Sequence, residues 1–207
     1  DALPLLEFTL RELYKLARSR KQTTGSTQPP SLQLADYAQL NGLIGAITQR
    51  AEQRLSGLES ESRERTLGAL ARLARLENDD QHPGQLRYLR QRVQWHDFSA
   101  HERELLKPWI EERLLIKSGQ GDQQSTLEVA HEALLRHFEP LSDWLAQHQE
   151  DLGWRQRYLL PRYQDKVYLS GHDLQAAERL LQQDSLLSPG EADFVRQSLE
   201  LQRQRDE

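Results

Sequence analysis

The chain has 207 residues, a net charge of −5 with both signs mixed along its length, and neither cysteine nor methionine. The lack of cysteine excludes a disulfide framework and thiolate chemistry, the acidic balance argues against a nucleic-acid binder, and no apolar run nears the ~18 residues that a membrane span needs. Leu, Gln, Arg and Glu outweigh β-branched residues, which suits a mainly α protein, and the absence of cysteine fits a cytoplasmic one. Starting at Asp1 without a methionine, the chain reads as a piece of a longer polypeptide.

Residues 4–20, "PLLEFTLRELYKLARSR", predict a helix with Pro4 in its first turn and Leu6, Leu10, Leu13 and Ala17 on one face. "KQTTGSTQPPS" (21–31) is a polar loop. Residues 36–56 predict helix, interrupted or closely packed at "NGLIG" (41–45). Residues 62–77 predict another helix, with Leu70, Leu73 and Leu76 at helical spacing, and "NDDQHPG" (78–84) a loop. Residues 86–95 are short enough for strand or helix.

Ser99 and Glu102 form a capping-box pattern that opens a helix over 99–113, which Pro108 should distort. "LLIK" (114–117) and "TLEVA" (126–130) predict a hairpin around the loop "SGQGDQQS". A helix from His131 to about 138 and a second to about 148 follow, separated near Pro140. The last third is helical again, with another capping box at Ser188–Glu191. The order over 62–138 (helix, short element, helix, strand, loop, strand, helix) approaches a winged helix.

Several chemistries are missing. No GxxxxGK[ST] phosphate loop and no GxSxG nucleophile elbow is present. The zinc-helix pattern HExxH fails, because position 135 is Leu; His137 stands about 240° around a helix from His131. What stays in view is "EVAHEALLRHF" (128–138), with His131 at the seam between a strand and a helix. Unpaired N–H groups in a first helical turn favour anions, and a histidine there can donate to a phosphate oxygen. It can equally cap the turn through a local hydrogen bond.

"VAHEALLRHFEPLSDWL" resembles the winged-helix segment of STAND NTPases, the signalling ATPases that include NACHT and NB-ARC proteins, and most of all their bacterial novel STAND branch. His131 matches the histidine that reaches the β-phosphate of ADP in the family's Met-His-Asp motif, and Glu132 stands in place of the Asp. "ALPLLEFTLREL" is similar to the family's GxP segment: Pro4 matches the proline near the nucleotide, while Ala2 replaces the usual glycine. "ADYAQLNGLIGAITQRAE" also looks like that branch. The resemblance covers roughly residues 1–200.

It implies a helical domain over 1–58, a winged-helix domain with a short β-hairpin over 59–148, and a C-terminal helical module over 149–207. It implies a regulatory switch, with His131 and Pro4 as nucleotide-binding residues, that helps hold ADP closed and rearranges on exchange to allow oligomerisation. ADP or ATP would be shared with a P-loop core outside the chain, so the isolated chain should bind no cofactor and catalyse nothing. The implied partners are that core, a C-terminal sensor region and further copies on activation.

Two other readings stand beside it. A winged-helix nucleic-acid binder would use helix 99–113, whose Glu102, Glu104, Glu111 and Glu112 oppose a phosphate backbone; its one basic cluster is Arg87, Arg90 and Arg92. A protein-interaction scaffold would use Trp95, Trp109, Trp144 and Trp154 as anchors.

Overall fold

The computed structural model describes residues 2–24, 29–78, 86–183 and 186–206. The first helix, α1, spans Ala2–Thr24. Its expected apolar face is only half used. Leu13 and Ala17 are buried with Phe8, whereas Leu6 and Leu10 are 44% and 46% exposed. Helix α3 (Gly42–Ser56) packs on the Phe8–Leu13–Ala17 side and leaves the other flank open. The short α2 (Leu34–Gln39) precedes it. The break at "NGLIG" is real. Asn41 and Gly42 take left-handed conformations (φ 52° and 74°), and a Cβ on Gly45 would stand 2.2 Å from the Leu40 carbonyl oxygen. Only glycine permits that approach.

Helix α4 (Ser60–Ala71) stops short of the expected end at 77. Residues Ala74–Asn78 are instead strand β1, antiparallel to β2 (Leu86–Arg90), with Leu76 opposite Tyr88. Leu70, Leu73 and Leu76 fit a helix by spacing, yet the ladder partner of Leu76 comes from distant sequence. Residues 79–84 of the expected loop lie outside the described residues.

A second sheet has the order β3-β5-β4, built from β3 (Val93–Gln94), β4 (Leu115–Ser118) and β5 (Thr126–Val129), all antiparallel. A 3₁₀ turn (Trp95–Asp97) and helix α5 (Ala100–Glu111) connect β3 to β4. The Ser99–Glu102 capping box forms: Glu102 N–H donates to Ser99 Oγ at 3.2 Å, and Ser99 N–H to Glu102 Oε2 at 2.7 Å. The hairpin loop holds one helical turn, α6 (Gly121–Gln124). Helices α7 (Ala133–His137) and α8 (Glu139–Gln147) break at Phe138, with Pro140 in the first turn of α8.

Helix α9 (Gln149–Trp154) runs through a π-helical turn (Arg155–Leu159) into α10 (Leu160–Asp165), followed by α11 (Gly171–Leu181) and α12 (Pro189–Asp206). The result is mainly α with two small antiparallel sheets. One apolar cluster runs from Phe8 through Leu70, Trp109 and Phe138 to Val195. Trp95, Trp109 and Trp144 belong to it, and Trp154 packs against it, so these residues are core rather than surface anchors.

Candidate functional site

Strand β5 delivers the chain to His131. The ladder continues one residue past it, with Ala130 N–H donating to the Leu114 carbonyl at 3.0 Å. His131 and Glu132 then form the turn into α7, which rests on α3 and β2. His131 Nδ1 accepts from Ala133 N–H at 3.0 Å, so the ring caps the turn. An accepting Nδ1 in a neutral imidazole leaves the proton on Nε2, making Nε2 the donor nitrogen. Helix α7 has only five residues, so the expected helix dipole is weak here. Burial pushes the His131 pKa below its ordinary value, and the guanidinium groups of Arg90 and Arg136 push the same way against Glu132. Glu132 is itself tied to Arg136, at 2.9 Å one helical turn on.

Pro4, the second expected residue, lies in the first turn of α1; its side chain is outside the described residues. A few residues along the same helix, Glu7, Phe8 and Arg11 line a cavity of about 350 Å³ with Ile110, Arg113, Leu115, Ile116, Lys117 and Ala130. Helix α1 and the residue before His131 thus meet at one cavity. Sequence reading missed it, because Arg113 looks like an ordinary helix-end arginine.

The joint between α1, α3 and the end of α5 is polar. Glu112, 8% exposed, pairs with Arg54, and Arg50 Nε lies 2.9 Å from its other oxygen. The Glu112 carbonyl accepts from Arg11. Burial acts to raise the Glu112 pKa, but the bonds and charges of Arg54 and Arg50 outweigh it and hold the carboxyl below its ordinary value. Among the described residues no cluster of three or more His, Asp or Glu could hold a metal ion, and no helix is long and apolar enough to cross a membrane.

The sequence model of the Novel STAND NTPase 1 family matches residues 1–160, and the chain belongs to that family. The match ends at the start of α10, short of the expected 200. No curated protein and no solved structure matches the chain.

Proposed function

We propose that this chain is the regulatory part of a STAND-type NTPase, in which residues 59–148 act as a winged-helix switch that helps hold ADP in a closed state. The β3-β5-β4 sheet, with α5 inserted between β3 and β4 and α4 before it, supports the winged-helix reading. The observation that carries the nucleotide role is the His131 ring itself. Its Nδ1 is spent on Ala133 N–H, which makes Nε2 the nitrogen that carries the proton. A neutral imidazole whose orientation is set by the cap suits a phosphate oxygen. Pro4 would border the nucleotide from α1. The phosphate loop itself must come from a core that these residues do not encode, so hydrolysis is not assigned to them. Exchange of ADP for ATP would favour a second arrangement of this piece against that core and permit oligomerisation, because the nucleotide binds the two arrangements unequally.

The test is to extract and quantify ADP from the complete NTPase as wild type, His131→Ala and His131→Asn. Asparagine is a good turn cap but does not reach as far. Loss of ADP in both variants, with the Asn variant folded as wild type, is the expected result. Undiminished ADP in both would reduce His131 to a cap.

A second reading, an interaction scaffold, draws on the open flank of α1, where Leu6, Leu10 and Tyr14 are 44%, 46% and 52% exposed at four-residue spacing. Nucleic-acid binding gains nothing from the fold. Arg103 and Lys117 pair with Asp122, Lys107 with Glu104 and Arg113 with Glu7, leaving little charge for a phosphate backbone.

A further inference from the structure

A polar cavity of about 290 Å³ lies where the turn before α5 meets the C-terminal helices. Arg72, the C-cap of α4, and Asp97, in the 3₁₀ turn, line it from one side. Arg155 of the π turn, Tyr163 of α10 and Glu191 of α12 line it from the other. The nucleotide reading uses none of these residues, and Tyr163 and Glu191 lie past the end of the family match.

The charges of the lining cancel. Arg155 is bonded to Glu191, Arg72 to Glu102 and Arg92 to Glu128. Three polar groups are nevertheless left over among the described residues. Arg72 is 1% exposed, yet its buried Nε makes no hydrogen bond. The Asp97 carboxylate, close by, contacts only the His96 ring nitrogen Nε2, at 3.7 Å. Burial holds this carboxyl above its ordinary value, and Glu191 acts the same way, against the opposing charges of His96, Arg72 and Arg155. The third group is the Tyr163 hydroxyl, which makes no hydrogen bond. A Cβ on Gly190 would collide with it, so glycine is what lets the phenol sit there. Burial, then the charge of Asp97, raises its pKa, so it remains a donor. Leaving such groups unpaired is destabilising, and a π turn in the same wall is a feature that recurs at functional sites.

These demands select a ligand class. An anion would meet Asp97 and Glu191, with each arginine of the lining already paired. A cation would meet Arg72 beside the carboxylate, since Arg72 Nη1 reaches the Asp97 carbonyl at 3.4 Å. A hydroxyl group donates to a carboxylate and accepts from a guanidinium at once, without net charge. We propose that this cavity binds a neutral polyol the size of one sugar ring, with one hydroxyl between Asp97 and Arg72 Nε and another on the Tyr163 hydroxyl. The volume lies at the lower end of ligand pockets, roughly 300 Å³, which suits one ring rather than a chain of them. Such a ligand would clamp the turn before α5 to the C-terminal helices. The assignment does not depend on the nucleotide reading.

The experiment titrates the ¹⁵N-labelled chain with glucose, galactose, mannose and myo-inositol, with glucose 6-phosphate and glucosamine as charged counterparts. It follows the amides of Gln91, Asp97 and Tyr163. At least one neutral probe should shift them saturably at millimolar concentration, and the hexose epimers should differ, because fixed partners distinguish hydroxyl orientations. Tyr163→Phe keeps the ring against Phe194, so it should melt as wild type yet bind severalfold more weakly. Asp97→Asn retains an acceptor without the charge and should weaken binding about tenfold. Amides that stay still with all the neutral probes would mean that water satisfies these groups, and would overturn the assignment. Epimers that bind equally, or affinity unchanged in both variants, overturn it as well. Tighter binding of glucose 6-phosphate or glucosamine than of every neutral probe overturns the neutral class.

Discussion

The turn cap uses Nδ1 of His131 and the proposed phosphate contact would use Nε2, so substitution separates them. Alanine removes the cap and should cost about 1 kcal/mol, whereas asparagine restores an acceptor and should stay within a few tenths of wild type; urea unfolding of the three proteins checks this. The ring also carries a pH signature. Its folded pKa lies below the unfolded value, so on acidification the unfolded chain takes up the proton first. Stability therefore falls as pH drops from the ordinary imidazole value through the folded one, and is unaffected above that window. His131→Asn should flatten this decline. Glu112 is biased the same way, but because the fold favours its charged form rather than its neutral one. Its folded pKa is depressed, so its contribution is present above the ordinary carboxylate range and lost as pH falls through the folded value. Glu112→Gln should cost about 1–3 kcal/mol near neutrality, less than for a fully dry pair because Arg50 and Arg54 reach solvent. In acid its unfolding midpoint should approach that of wild type.

Short-range signals determined which elements could be read from the sequence. The capping boxes at Ser99 and Ser188 need only four residues, and both form. Hairpin β4–β5 and the breaks at Asn41 and Phe138 follow from turn residues nearby. Strand β1 was illegible because Leu76 satisfies a helical and an alternating pattern alike, and its ladder partner is Tyr88 in another strand. The His131 turn was legible as a place, but not the packing of α7 against α3 and β2 that buries it. Nothing local foretold the π turn either. It aims Gln156 at the open edge of β1, where its side chain accepts from Leu76 N–H at 3.0 Å and donates to the Leu76 carbonyl at 2.9 Å. Gln156→Ala should cost about 1–2 kcal/mol through these two bonds. It should also speed hydrogen exchange at the Leu76 amide, the readout that separates loss of this edge cover from general destabilisation.

For the molecule as a whole, the family boundary and the core boundary do not coincide. The family match ends at 160, but Leu169, Leu174, Leu180, Phe194 and Val195 belong to the same apolar cluster as Leu70 and Trp109. The joint is also ionic. Arg155 in the π turn makes two bonds, 3.0 and 2.8 Å, to Glu191, which simultaneously closes the capping box of α12 with Ser188. Both partners are buried, so removing one leaves a charge without compensation, at a cost of about 3–5 kcal/mol. Cutting the chain after residue 160 would do this to Arg155 and would bare the apolar faces beneath α11 and α12. The expected product binds a hydrophobic dye, elutes as aggregate and melts well below the complete chain. A monomeric 1–160 segment with an unchanged melting temperature would instead make the C-terminal helices a separable addition. If the truncated chain fails as expected, the last helices are structural support for the His131 turn. Tyr88 of β2, the strand against α7, donates to the Leu145 carbonyl of α8, and the β1 partner of β2 is held from outside by Gln156. Loosening that outer layer should therefore disturb the His131 turn, and with it the proposed phosphate contact, without touching the residue itself.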